Sequence, residues 1–155
     1  MHLVPLQLLV LRLFAQRAHH DTQGPTFFED HDKFGDFYAA YDAAYDSVVE
    51  RVIGLGETLD LSKLTMEAAA KAAFHPNEHS PEKLFADLLS GEKNLCAVCT
   101  AEVKKPATLE GTRNLLAQLC DDSEKRQFLI QKRITPASST SPNSPAASPA
   151  SRQPT

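Results

Sequence analysis

Two imidazoles and two carboxylates fall within a short stretch of this chain: His19, His31, Asp46 and Glu50. Nitrogen and oxygen donors in that mixture suit first-row transition metals, iron among them. Asp46 and Glu50 are four residues apart, so on a helix both carboxylates point the same way. His31 precedes Asp46 by fifteen residues. On one helix that is about 22 Å along the axis and about 60° around it. No single metal site is that wide. Either these residues are unrelated, a helix-start histidine and a solvated acidic face, or a second copy of the chain supplies the missing half. Two antiparallel copies about a two-fold axis, the commonest oligomer symmetry, set His31 of one opposite Asp46 and Glu50 of the other. The axis must then pass near Ala39 and Ala40, which are followed by Ala43 and Ala44, all small enough for close approach.

Four helical patterns and a tail would position these groups. The first runs from about Leu3 to Asp21, with Leu6, Leu9, Val10, Leu13 and Phe14 at helical spacing. Gly24-Pro25 breaks it. Thr26 followed by Glu29 reads as a capping box opening a second helix. That helix carries Phe34, Phe37, Tyr38, Tyr41, Tyr45, Val48, Val49, Val52 and Ile53, and stops near Gly54-Leu55-Gly56. A connection with a short helix at Leu64–Phe74 follows, rich in strong helix formers. Ser80-Pro81 caps a third main helix that runs to about Lys105. A fourth spans about Thr108 to Ile134, with Leu115, Leu116, Leu119, Phe128, Leu129 and Ile130 as candidate core. No segment alternates with the period of a strand. The expectation is an all-α bundle over residues 1–134, with a long crossover between the second and third main helices. Residues 135–155 change abruptly to Pro, Ser, Ala and Thr with Arg152 as the one charge, and read as a disordered tail.

The global numbers exclude several classes. The chain has 155 residues and a net charge of −4, with no basic footprint for nucleic acid. Three cysteines make no disulfide framework and point to a reducing compartment. The apolar start lacks Lys or Arg ahead of it, and Arg12 interrupts it, so neither an export signal nor a membrane span is expected. The expected location is cytoplasmic.

The run His19-His20-Asp21-Thr22-Gln23-Gly24-Pro25-Thr26-Phe27-Phe28-Glu29-Asp30-His31 resembles the H-W-x-x-x-G-x-x-F-x-x-x-H signature of Dps proteins, the mini-ferritins that protect DNA during starvation. Asp46-x-x-x-Glu50-Arg51, the Leu55-Gly56 ending, Gly111-Thr112-Arg113-Asn114-Leu115-Leu116 and Glu124-Lys125 are also similar to that family. The resemblance spans roughly residues 5–133. It implies a ferritin-like subunit, twelve copies in a hollow shell, and oxidation of Fe²⁺ to Fe³⁺ at two-fold interfaces, usually by hydrogen peroxide, with ferric mineral stored inside. His19 and His31 would come from one subunit and Asp46 and Glu50 from its neighbour. Glu110, with Asn114 one turn on, would lie at pores that admit iron.

The chain departs from that pattern twice. The family carries Asp four residues after the second histidine, where this chain has Gly35; Asp36 is about 100° further round the helix, and Asp32 directly follows the histidine. A second reading follows from this, a ferritin-like shell or adaptor with an impaired oxidation site. The family also has Trp where this chain has His20, a residue better suited to a surface or supporting role than to ligation. DNA-binding members use lysine-rich arms, and here no Lys precedes Lys33, so direct DNA binding is not expected.

Remaining motifs read as structural. Cys96-x-x-Cys99 lies in an apolar helical pattern with no second pair to complete a zinc site, so both thiols are expected as buried small side chains. His75 and His79 flank a proline in a turn. Lys125-Arg126 and Lys132-Arg133 are expected as solvated charges on the last helix.

Overall fold

The computed structural model describes residues 1–72 and 80–135. The expected tail from Pro136, the His75/His79 pair and the proposed helix end at Phe74 lie outside the described residues. Within them the chain is all-helical, with five α-helices and no strand: α1 (Leu3–Asp21), α2 (Phe27–Gly54), α3 (Leu61–Ala72), α4 (Pro81–Val103) and α5 (Glu110–Ile134). None of these helices is long and apolar enough to cross a membrane.

Local chemistry accounts for most boundaries. Gly24 takes a positive φ of 115° in the turn between α1 and α2. Gly56, with φ of 82°, closes α2 in a Schellman motif: its N–H donates to Ile53 O, and Glu57 N–H donates to Val52 O. Ser80 accepts a hydrogen bond from Lys83 N–H and Pro81 opens α4, as the sequence predicts. α3 starts three residues earlier than expected because the Asp60 carboxylate accepts from Lys63 N–H at 2.9 Å. The capping box at Thr26 does not form. The Thr26 hydroxyl instead donates to Asp30 at 2.7 Å and accepts from Arg133 at 3.0 Å.

Contacts between helices fix their directions. His19 meets His31 and Arg12 meets Asp42, so α1 and α2 are antiparallel. Phe34 stacks on Phe85 at 4.3 Å and Tyr41 bonds Glu92, a constant offset along both helices, so α2 and α4 are parallel. Arg126 and Ser123 meet Glu92 while Arg133 meets Glu82, which makes α5 antiparallel to α4. The order is up, down, down, up, with one long crossover carrying α3 along the outside of α1.

The main core draws on Val4, Leu8, Leu11, Ala15 and Ala18 of α1, with Phe34, Phe37, Tyr41, Leu84, Phe85, Leu88, Leu116 and Ile130 among others. This corrects the expected α1 face. Leu6 and Leu9, with Val10 and Leu13 beside them, face α3 and its Leu64 and Ala68 in a second, smaller cluster. α1 is covered on two sides, so its apolar pattern records both. At Gly91 α4 comes so close to α1 that a Cβ would lie 2.6 Å from a Leu11 methyl. Phe128 and Leu129, expected in the core, are about half exposed (56% and 49%), as is Ile53 at 54%.

Candidate metal centre

The end of α1 and the start of α2 bring His19 and His31 face to face. Their rings stack with centroids 3.7 Å apart and planes 25° from parallel. His19 Nδ1 lies 2.8 Å from the backbone oxygen of His31, and His31 Nδ1 lies 2.8 Å from that of His19. A carbonyl only accepts, so each Nδ1 carries the hydrogen. The tautomer with its hydrogen on Nδ1 leaves the lone pair on Nε2, the arrangement a metal-ligating histidine needs. Phe27 borders His31 at 5.1 Å between ring centroids, Tyr38 borders His19 at 6.1 Å, and His20 lies 5.4 Å from His19.

Gly35 has a role that the sequence does not suggest. A Cβ at this position would lie 3.2 Å from both Cε1 and Nδ1 of His19. With no side chain here the imidazole lies against α2 uncrowded, and a Cβ would press on the ring. Asp36 is occupied by Lys33 at 2.8 Å, and Asp32 is exposed.

Asp46 and Glu50 are exposed near the far end of α2. Among the described residues neither has an ion pair or a side-chain hydrogen bond, and no three His, Cys, Asp or Glu side chains converge as a metal site. One chain thus unites His19 with His31 and separates His31 from Asp46 by about 22 Å of helix and from Glu50 by about 28 Å. Glu110 and Asn114 are exposed in the first turns of α5.

The most buried charged group lies elsewhere. Glu92 is fully buried; it accepts from the Tyr41 hydroxyl, from Ser123 at 2.6 Å and from Arg126 at 2.5 Å. Burial, followed by the Glu92 charge, pushes the Tyr41 phenol well above its ordinary range, so it remains a donor. A second network joins Arg133 to Asp30, Thr26 and Glu82. Arg126 and Arg133 are therefore not solvated charges: Arg126 also covers the Tyr41 ring at 5.0 Å and Arg133 the Phe85 ring at 5.3 Å. Lys125 and Lys132 do face solvent. Spacing could have signalled this, because Glu92 falls in the buried row Leu88, Leu95, Cys99, and Arg126 follows Leu116, Leu119 and Ser123.

Cys99 is buried as expected, whereas Cys96 is half-buried and faces Cys120 across the α4–α5 contact, each sulfur 3.8–3.9 Å from the other's carbonyl oxygen. All three cysteines are free thiols. In comparisons with known proteins, no family model matches the chain and no curated protein matches it significantly.

Proposed function

We propose that this chain is a ferritin-like subunit of the Dps type, in which Fe²⁺ binds between His19 and His31 of one copy and Asp46 and Glu50 of a two-fold partner and is oxidised there to Fe³⁺. The observation that carries this reading is the reciprocal histidine lock, which presents two Nε2 atoms that no third His, Cys, Asp or Glu side chain joins among the described residues. Two exposed carboxylates on one helix face, without an ion pair among the described residues, are the matching half. The up-down-down-up order with a single crossover agrees with ferritin-like bundles.

The chemistry follows from the donors. Imidazole nitrogens hold the ferrous ion, and hard carboxylate oxygens favour the ferric product. Each peroxide molecule accepts two electrons, one from each of two ferrous ions, and ferric oxyhydroxide collects inside a cytoplasmic shell of twelve copies. Glu110 and Asn114 would line the entry pores. One observation favours a second reading, a shell or adaptor without efficient oxidation: the His19 ring fills the space beside Gly35 where the family places an acid.

Twelve chains of 17.0 kDa give about 204 kDa by light scattering. Anaerobic Fe²⁺ loading followed by peroxide should produce ferric absorbance above a protein-free blank, and a His31→Ala/Asp46→Ala variant should lose it. A particle of that mass with no ferric signal would leave the second reading. A monomer would remove both.

A further inference from the structure

Cys96 and Cys99 of α4 meet Cys120 of α5. Cys96 Sγ lies 3.8 Å from Cys120 O, and Cys120 Sγ lies 3.9 Å from Cys96 O. Each S–H thus donates to the backbone of the other residue. Both side chains point across one helix contact and neither points away, an orientation from which a disulfide can close. The two residues are 24 apart in the chain. Hydrogen bonds hold the contact in place around them. Gln127 Nε2 donates to Cys96 Sγ at 3.4 Å and to Ser123 Oγ at 3.3 Å, and Ser123 donates to the buried Glu92 at 2.6 Å. Cys96 and Cys120 are half-buried, whereas Cys99, one turn after Cys96, is fully buried.

We propose that Cys96 and Cys120 form a peroxide-oxidisable dithiol that closes into a reversible disulfide between α4 and α5. Cys96 attacks first. Its sulfur takes one oxygen of hydrogen peroxide: the S–O bond forms, the O–O bond breaks, and the departing hydroxide leaves as water with the thiol proton. The Gln127 N–H stabilises charge on that sulfur. Cys120 then attacks the sulfenic sulfur. The S–S bond forms, the S–O bond breaks, and the hydroxyl leaves as a second water with the Cys120 proton. The two thiols give up two electrons and peroxide accepts both. The roles differ because the thiolate is the better nucleophile. Burial, and then Cys96, push the Cys120 thiol up, so it stays protonated until a sulfenic sulfur lies beside it. Cys99 is shielded from the oxidant by its burial and is left free. In a reducing compartment such a bond is transient, so its closure would record a rise in peroxide. The step uses no iron and stands apart from the site at His19 and His31.

The test uses the full chain, reduced beforehand, with a chelator present so that iron plays no part. After a slight molar excess of peroxide, iodoacetamide in urea followed by peptide mass mapping should show Cys96 linked to Cys120 and Cys99 alkylated. The intact chain should be about 2 Da lighter for the two hydrogens lost. Dithiothreitol should then return all three cysteines to the alkylated form. In Cys120→Ser the reaction should stop at the first oxidation, and dimedone should label Cys96. A link between Cys96 and Cys99, a link between Cys99 and Cys120, a link between two chains, or three thiols still free would each overturn the proposal. So would dimedone labelling of Cys120 in Cys96→Ser as fast as that of Cys96 in Cys120→Ser.

Discussion

Replacing Gly35 by alanine sets two effects of known size against each other. In a helix interior alanine is favoured over glycine by about 1 kcal/mol. The new Cβ, however, would lie 3.2 Å from two atoms of the His19 ring, closer than ordinary contact. One of those atoms is Nδ1, which donates to His31 O at 2.8 Å. The ring must give by a few tenths of an ångström, weakening a hydrogen bond worth about 0.5–1.5 kcal/mol. The terms nearly cancel, so Gly35→Ala should change stability by less than about 0.5 kcal/mol. In a His19→Ala background the obstruction is gone, and the same substitution should stabilise by the full ~1 kcal/mol. Urea denaturation followed by circular dichroism, at fixed protein concentration, measures both arms. Metal affinity reports separately: shifting a ligand from its hydrogen-bonded orientation costs about 10- to 100-fold, so Co²⁺ should bind that much more weakly to Gly35→Ala. Equal stabilisation in the two backgrounds, with unchanged Co²⁺ binding, would refute the idea that the glycine seats the histidine.

Other parts of the fold give sharper stability signals. Glu92→Gln leaves Arg126 buried without its counter-charge and should cost about 3–5 kcal/mol in urea denaturation, whereas Glu92→Leu/Arg126→Met, which removes both charges, should cost clearly less than Glu92→Leu alone. Burial alone would raise the Asp30 carboxyl, but hydrogen bonds from Arg133 and Thr26 and the Arg133 charge outweigh it and hold it below its ordinary value. Its contribution is therefore complete above about pH 4 and lost as the pH falls below that, so Arg133→Gln should flatten the acid limb of a stability–pH profile. Burial, and then the neighbouring Cys120, push the Cys99 thiol far above its ordinary range. Iodoacetamide at pH 8 should leave Cys99 unmodified in the native chain and label it in urea, as peptide mass mapping would show.

Elements were more legible in the sequence than environments. Ser80-Pro81, Gly24-Pro25 and Gly56 act through local backbone chemistry, and the helix boundaries near them fall where the residues indicate. The α1 face was misread because α3 covers a second side of it, which no single-helix period reports. Phe128 and Leu129 follow the helical spacing of α5 yet stay half exposed, since periodicity cannot say whether a neighbour lies opposite. At the candidate centre, spacing suggests the residues and the distance between the two halves. It did not reveal that the histidines stack, that backbone carbonyls choose their tautomer, or that Gly35 is their seat. Those depend on how two helices approach, which the turn at Gly24 decides.

The two carbonyls that hold the histidines are not equivalent. His19 O belongs to the last turn of α1, where no further helical N–H is available. His31 thus caps the preceding helix with the same ring that the proposed site would use. The partners are only twelve residues apart in the chain, so closing this loop costs little entropy, and local pairs of this kind form early in folding. The two rings are accordingly oriented as soon as the first hairpin closes, so a metal at the proposed site would meet ligands whose freedom folding has already removed.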